Sequence, residues 1–215
     1  MIKCKICQSL TREFYDKQFD DHYYYCEICE FISKDDAKIV TVEREKEKYD
    51  EHNNTYENEG YVNMFRDFLD RAVMPFVSSG KEGLDFGSGP GPVLSQVLSR
   101  EYGYDMTIYD LFYAPDTDYQ NRKYDLLTCT EVVEHLKDPL SYFEHFKLLV
   151  KSGGLIGIMT LFHPKNDAVF CDWHYRRDVT HISFFTPKTM QKIAYLLDME
   201  LTYCDEKRCC SFKVK

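Results

Sequence analysis

Apolar residues along positions 61–215 recur at two alternating spacings, which predicts helices and strands in turn. Across 61–77 they recur every three or four residues, as in a helix with one apolar face. Short apolar runs follow at 84–86, 105–110, 124–131 and 155–162, separated by helical segments at 91–103, 139–150 and 186–197. The tail after residue 200 has the pattern of a closing pair of strands. This alternation predicts βαβ units around a mainly parallel sheet.

Residues before position 61 have a different character. Residues 1–35 are short, aromatic and punctuated by cysteines, whereas residues 36–60 are a charged connector in which 42–52 is predicted to be a solvent-facing helix. We therefore expect three parts: a small cysteine module over 1–35, a connector over 36–60, and one α/β domain over 61–215.

The glycine-rich stretch LDFGSGPGP at residues 84–92 is the strongest motif, since it lies between a predicted strand and a predicted helix. Glycines there let a nucleoside-bearing ligand approach the backbone. Asp85 stands where a dinucleotide-binding strand has an apolar residue, and Pro92 replaces the third glycine of the nicotinamide fingerprint. A nicotinamide oxidoreductase is therefore disfavoured. Asp110 ends the next predicted strand, where a carboxylate can accept hydrogen bonds from both ribose hydroxyls.

Four segments in order resemble class I S-adenosylmethionine (SAM)-dependent methyltransferases. They are LDFGSGPG, TIYD, YDLLTCTEVVEHLKDP and KSGGLIGIMT, and the Glu-Val-x-Glu-His run within the third is typical of one subgroup. The resemblance implies a Rossmann-like methyltransferase fold with a mainly parallel central sheet. Only thirteen residues separate Asp110 from Tyr124, so the fold is expected to be shortened between its second and fourth strands.

The resemblance also implies a set of cofactor-binding residues. The glycines would contact SAM through their backbone, Asp110 would hold the ribose, and the residues after the fourth strand would line the methionine end. SAM carries a cationic amino group rather than a pyrophosphate, which suits a carboxylate at Asp85. Leu111, Phe112 or Asp116 is expected near the adenine. The cofactor-binding residues predicted in this way are Asp85, Gly87, Gly89, Gly91, Asp110, Leu111, Thr130 and Glu131.

Two cysteine pairs in the N-terminal module, Cys4-x-x-Cys7 and Cys26-x-x-Cys29, are separated by eighteen residues. That spacing is typical of a tetrahedral four-cysteine zinc site, in a zinc ribbon too small to fold without its metal. Redox-active dithiols and a site that has lost its metal are the alternatives. A zinc ion held by four cysteines has no open position, so the role predicted is structural.

Residues 163–188 follow the fifth strand that the methyltransferase resemblance implies, where α/β enzymes place substrate-facing loops. The segment is rich in aromatic and cationic side chains, and its predicted substrate-binding residues are Trp173, His174, Arg176 and Arg177. Catalytic roles are predicted for His181 and for His135, the latter as a general base. Alternatively, the aromatic residues fill the core, the arginines form surface ion pairs, and His135 caps a helix.

Charge and composition narrow the classes of partner. The net charge is −9, and residues 1–50 hold nine Lys and Arg against twelve Asp and Glu, so a nucleic-acid partner is disfavoured. No apolar stretch is long enough to span a bilayer and no signal peptide is evident, which favours a cytoplasmic location. The expected function is methyl transfer from SAM to a small anionic or aromatic metabolite. A non-enzymatic adaptor, with the ribbon binding a protein or RNA partner, is the alternative.

Overall fold

The computed structural model describes residues 2–50 and 55–215, and these residues contain ten strands and six α-helices. In chain order they are β1 (Arg12–Asp16), β2 (Asp21–Tyr25), β3 (Ile32–Lys34), α1 (Val42–Tyr49), α2 (Glu59–Phe68), β4 (Glu82–Phe86), α3 (Val93–Tyr102), β5 (Asp105–Tyr109), β6 (Tyr124–Thr130), α4 (Pro139–Leu149), β7 (Val150–Met159), α5 (Asp167–Asp172), β8 (Ser183–Phe184), α6 (Pro187–Leu196), β9 (Met199–Cys204) and β10 (Cys209–Val214).

The central sheet has six strands in the order β5-β4-β6-β7-β10-β9. The first four are parallel, and β10 and β9 close the sheet in antiparallel pairing. The predicted Rossmann-like fold with a mainly parallel sheet is confirmed. Its shortening is confirmed as well, because the chain between β5 and β6 contains only a 3₁₀ turn over Asp118–Asn121.

A second, antiparallel sheet joins the N-terminal residues to the larger domain. Its strand order is β1-β2-β3-β8, so its last strand comes from the segment that follows β7. Phe31 packs against Phe185 with ring centroids 5.3 Å apart, and Thr189 Oγ1 donates a hydrogen bond of 2.8 Å to the Cys29 carbonyl. The division at residue 35 remains a prediction, but the N-terminal module shares both a sheet and a core with the rest of the chain.

Three predicted helices are confirmed. The apolar face of α2 buries Val62, Phe65 and Phe68, and the chain continues into a π-helical turn at Leu69–Val73. Helix α3 ends at Gly103, whose φ of 71° is easily adopted by glycine. Helix α6 begins with a capping box in which Thr186 and Thr189 bond to each other's backbone.

One sequence expectation needs correction. Helix α1 forms as predicted but is not purely solvent-facing, because Glu45 and Tyr49 line a cavity; positions 51 and 52 of that prediction lie outside the described residues. Asp138 occupies the N-cap position of α4, yet its side chain makes no capping hydrogen bond. Helix α4 ends at Leu149, and β7 begins at Val150 and runs through Gly153 and Gly154.

Within residues 2–50 and 55–215, the structure contains no helix long and apolar enough to cross a membrane.

Candidate active site

A cavity of about 1080 Å³ opens at the carboxyl ends of β4, β5 and β6. Parallel α/β sheets bind ligands at this edge, where the loops after neighbouring strands diverge. The cavity walls comprise the glycine turn, the loop after β5, the turn after β6, and parts of α1 and α2. All eight of the predicted cofactor-binding residues line it: Asp85, Gly87, Gly89, Gly91, Asp110, Leu111, Thr130 and Glu131.

The glycine turn needs its first two glycines for different reasons. Gly87 has a φ of 81°, and a Cβ atom there would lie 2.2 Å from Cγ2 of Val132. Gly89 also has a positive φ, 66°, but a Cβ at that position would meet no atom of the described chain within 4 Å. Gly87 therefore lets the turn pack on the loop after β6, whereas Gly89 leaves open space on its cavity side.

Asp110 ties the glycine turn to the loop after β5. Its Oδ2 accepts a 2.9 Å hydrogen bond from the Gly89 N–H, and its Oδ1 accepts bonds from the N–H groups of Phe112 and Tyr113 at 2.9 and 3.1 Å. A carboxylate offers about four acceptor positions, so capacity remains for a hydroxyl in the cavity. The same side chain can thus shape the loop and receive a ligand.

Asp85 is buried at the end of β4, with a relative exposure of 2%. Its Oδ1 accepts a hydrogen bond of 3.0 Å from Thr128 Oγ1. Burial raises the pKa of the Asp85 carboxyl to about 7, and the hydrogen bond from Thr128 offsets only part of this effect. A cation bound beside Asp85 would favour its charged form.

Two glutamates follow β6 and share one tyrosine. The Tyr175 hydroxyl lies 2.9 Å from Oε2 of Glu131 and also contacts Oε1 of Glu134. Glu131 has a φ of 54°, a conformation that costs energy in a residue other than glycine and is often found at functional sites. Burial, together with the charge of Glu131, raises the pKa of the Glu134 carboxyl to about 8.

His135 and His181 both line the cavity beside these glutamates, and their ring centroids are 4.7 Å apart. Nδ1 of His135 lies 3.1 Å from the Thr180 carbonyl oxygen, and Nδ1 of His181 lies 2.7 Å from that of Tyr175. Because a carbonyl can only accept, both rings donate a hydrogen bond from Nδ1. The structure therefore brings together the two histidines predicted to be catalytic.

The predicted substrate-binding residues lie elsewhere. Trp173 packs against Tyr175 and Phe170 in an aromatic cluster under the second sheet, and His174 is exposed outside the cavity. Arg177 is exposed and donates to the Asp172 carbonyl. The expectation that Trp173, His174, Arg176 and Arg177 line the acceptor pocket is therefore corrected, and the core-packing alternative holds for Trp173.

Arg176 is buried in an ion pair with the N-terminal module. Its Nη1 lies 2.5 Å from Oδ2 of Asp16, and both side chains are almost completely buried. Nη2 donates to Gln18 Oε1 at 3.1 Å, and the guanidinium carbon lies 4.4 Å from the ring centroid of Phe19. Asp16 ends β1, and Gln18 and Phe19 lie in the turn that follows it. Arg176 therefore connects the segment between α5 and β8 to the N-terminal module instead of facing the cavity.

Several residues that line the cavity were not predicted from the sequence. Helix α1 places the Tyr49 ring 5.2 Å from the His135 ring and 5.7 Å from that of Phe112, measured between centroids. Nothing in the connector's charged composition indicated this packing. Glu134 was also overlooked as a site residue, although its spacing of three from Glu131 in EVVEH was a usable signal.

The four cysteines of the N-terminal module converge as their spacing predicted. Their sulfur atoms all lie within 4.8 Å of one another, with Cys4 to Cys29 at 3.5 Å and Cys7 to Cys26 at 3.4 Å. Gln8 and Glu30, which follow the two pairs, both have a positive φ, of 62° and 60°. The two pairs therefore lie in equivalent turns. All four are free thiols rather than disulfides.

Comparison with known proteins agrees with this geometry. Residues 43–202 match a family described as a methyltransferase domain, and this region is well over half of the chain. The chain belongs to that family, which implies SAM as cofactor. The matched region begins inside α1, so it includes the helix over the cavity.

Two curated relatives are ubiquinone biosynthesis O-methyltransferases. The one from Vibrio cholerae serotype O1 is 34% identical over 79 residues, which are 37% of this chain and 32% of that enzyme. The one from Actinobacillus pleuropneumoniae serotype 5b is 30% identical over 109 residues, covering 38% of this chain and 46% of that enzyme. The chain thus spans less than half of the length of these relatives.

Solved structures support the fold. Mitomycin 7-O-methyltransferase superposes with a TM-score of 0.51 at 9% identity, over 64% of this chain and 50% of that one. An O-methyltransferase family protein from Burkholderia thailandensis gives a TM-score of 0.51 at 14% identity, over 79% of this chain and 62% of that one.

Proposed function

We propose that this protein is a SAM-dependent methyltransferase that acts on a hydroxyl group of a small molecule. The observation that carries the proposal is the convergence of the glycine turn, Asp85 and Asp110 on one cavity with His135 and His181. The O-methyltransferase relatives favour a hydroxyl acceptor. The cavity volume of about 1080 Å³ is slightly above the range of about 300–1000 Å³ for small-molecule sites, which suits a cofactor together with a small acceptor.

The residues of the cavity fit SAM. Asp85 offers a buried carboxylate to the amino group, Asp110 offers acceptor positions to the ribose, and Gly89 leaves space beside the turn. Leu111 and Phe112, in the loop after β5, provide apolar surface for the adenine, and Thr130 and Glu131 face the methionine end. When bound, SAM supplies a methyl group on a sulfonium; its transfer to a hydroxyl breaks the C–S bond, forms a C–O bond, leaves the electron pair on sulfur and releases the hydroxyl proton.

The chain's own groups that act on the acceptor are His135, His181 and Glu134. Each lines the cavity, and the backbone carbonyls of Thr180 and Tyr175 fix the orientation of the two imidazole rings. Methyl transfer depends largely on positioning, because the acceptor oxygen must approach the methyl carbon in line with the C–S bond. Rings oriented in advance reduce the cost of that alignment.

The four-cysteine cluster fits a structural zinc ion. Zn–S bonds of about 2.3 Å place sulfurs about 3.8 Å apart in a tetrahedron, close to the observed separations. We propose that this zinc ribbon also positions the acceptor side of the site. The Lys34 N–H donates to the Ile182 carbonyl, and the Ile182 N–H donates to the Glu134 carbonyl, at 2.9 and 2.8 Å. The ribbon therefore holds the segment that carries His181.

Elemental analysis tests the zinc assignment. One zinc per chain is expected in protein purified without chelator, and Cys4→Ser should lose both the metal and thermal stability. Cys171→Ser is the matched control, because Cys171 lies outside the cluster. Full zinc occupancy in Cys4→Ser would contradict the assignment.

Transfer of a labelled methyl group tests the function itself. Purified protein would be incubated with methyl-labelled SAM and a panel of small phenols, dihydroxybenzenes and amines. Label is expected on hydroxyl compounds, with strong loss in His181→Asn and normal transfer in Arg177→Ala, whose side chain lies outside the cavity. Tight SAM binding without transfer to any member of the panel would favour the adaptor alternative.

A further inference from the structure

Three side chains at the acceptor side of the cavity are arranged like metal ligands. One ligand atom from each of Glu134, His135 and His181 can be chosen so that all three lie within 4.8 Å of one another. Adjacent ligands bound at about 2.1 Å to one ion lie about 3–3.4 Å apart, so the ligand atoms would approach one another by no more than about 2 Å to complete the set. We propose that these residues bind a divalent cation. The role assigned to the cation rests on the proposed function, whereas the existence of the site does not.

The environment of Glu134 is the second observation. This side chain has a relative exposure of 0% and borders the cavity. Its Oε1 contacts the Tyr175 hydroxyl, whereas its Oε2 accepts no hydrogen bond from any residue in 2–50 or 55–215. A buried carboxyl oxygen without a hydrogen bond is costly, and a bound cation would remove that cost.

The two histidines are prepared for the same role. Metal-ligating histidines typically donate one ring N–H to a carbonyl or carboxylate, which fixes the other nitrogen as the ligand. Nδ1 of His135 and of His181 make such contacts with the Thr180 and Tyr175 carbonyls. Nε2 of His135 lies 4.0 Å from Oε1 of Glu134, so a cation could bridge the imidazole and the carboxylate.

The donor set indicates the kind of ion and its use. One carboxylate and two imidazoles suit a borderline-to-hard divalent ion, and three protein ligands leave three positions open on an octahedral one. The cation would bind oxygen atoms of the acceptor and lower the pKa of the reacting hydroxyl, whose proton would then leave to solvent. An acceptor with two adjacent oxygens could occupy two of these positions, which narrows the substrate class to chelating hydroxyl compounds.

Titration of the zinc-loaded protein with Mn²⁺, followed by electron paramagnetic resonance of the free ion, tests the site without any acceptor. Mn²⁺ prefers oxygen and nitrogen donors to thiolates, so the four-cysteine cluster does not compete for it. One Mn²⁺ per chain is expected. The affinity for Mn²⁺ should fall at least tenfold in Glu134→Gln and in His181→Asn. The asparagine in His181→Asn keeps a donor toward the Tyr175 carbonyl but removes the Nε2 ligand.

Asp110→Ala separates this proposal from the proposed function. That variant should lose SAM affinity while its Mn²⁺ affinity stays unchanged. His181→Asn should lose Mn²⁺ affinity while its SAM affinity stays unchanged. Thermal melting would establish that each variant is folded. No Mn²⁺ binding by the wild type, or equal binding by all folded variants, would overturn the cation site. Failure of the wild type to bind SAM would refute the function and leave the cation site standing.

Discussion

Replacing Arg176 with alanine should unfold the protein at a much lower temperature rather than selectively abolish catalysis. The variant leaves Asp16 buried, with a relative exposure of 2%, and without its cationic partner 2.5 Å away. Removing one member of a buried ion pair costs about 3–5 kcal/mol. For a chain of this length each kcal/mol lowers the melting temperature by about 2–4 °C, so a decrease of roughly 6–20 °C is expected.

Thermal and denaturant unfolding of three variants would measure this effect. Arg177→Ala is the matched control, because the neighbouring guanidinium is exposed and donates only to the Asp172 carbonyl among the described residues; its stability should change by less than about 0.5 kcal/mol. The double variant Asp16→Asn with Arg176→Met removes both charges and should regain most of the lost stability. If Arg176→Ala melted like the wild type yet lost methyl transfer, the structural role of this arginine would be refuted.

Two further predictions concern the cofactor side of the cavity. Gly87→Ala should destabilise the fold by about 1–3 kcal/mol in denaturant titration, because the new Cβ would lie 2.2 Å from Val132. Gly89→Ala creates no such contact, so it should lose less stability and more SAM affinity than Gly87→Ala. Equal effects of the two substitutions would contradict these distinct roles. SAM affinity should rise with pH up to about pH 7, by at most about tenfold per unit. The reason is that Asp85, with its pKa raised to about 7, becomes charged only as the pH passes that value. Calorimetry across this range should show a flat profile for Asp85→Asn, and a flat wild-type profile would exclude Asp85 as the partner of the amino group.

Much of the sheet and of the cofactor side could be predicted because local sequence determines them. The turn at Gly87 and Gly89 needs residues that tolerate positive φ, and the cysteine pairs need fixed spacing to converge on one metal. Strand and helix alternation follows from hydrophobic periodicity. For these features, a short stretch of chain contains the whole physical requirement.

The acceptor side depends on contacts between distant segments, so it was harder to predict from the sequence. Arg176 and Arg177 are adjacent and chemically identical, yet one is buried against Asp16 and the other is exposed. The partner of the buried arginine, Asp16, lies about 160 residues earlier in the chain, so local sequence does not distinguish the two. Likewise, the charged composition of α1 gave no sign that Tyr49 packs beside His135.

Calorimetric titration with SAM and with its demethylated product is the most direct test of the cofactor site. We expect one site per chain for both compounds, no binding of NADH, and at least a tenfold loss of affinity in Asp110→Ala. That loss corresponds to one charge-assisted hydrogen bond to the ribose, of about 1.5–3 kcal/mol. Absence of binding by the zinc-loaded wild type, binding of NADH in place of SAM, or unchanged SAM affinity in folded Asp110→Ala would contradict a SAM site at this cavity.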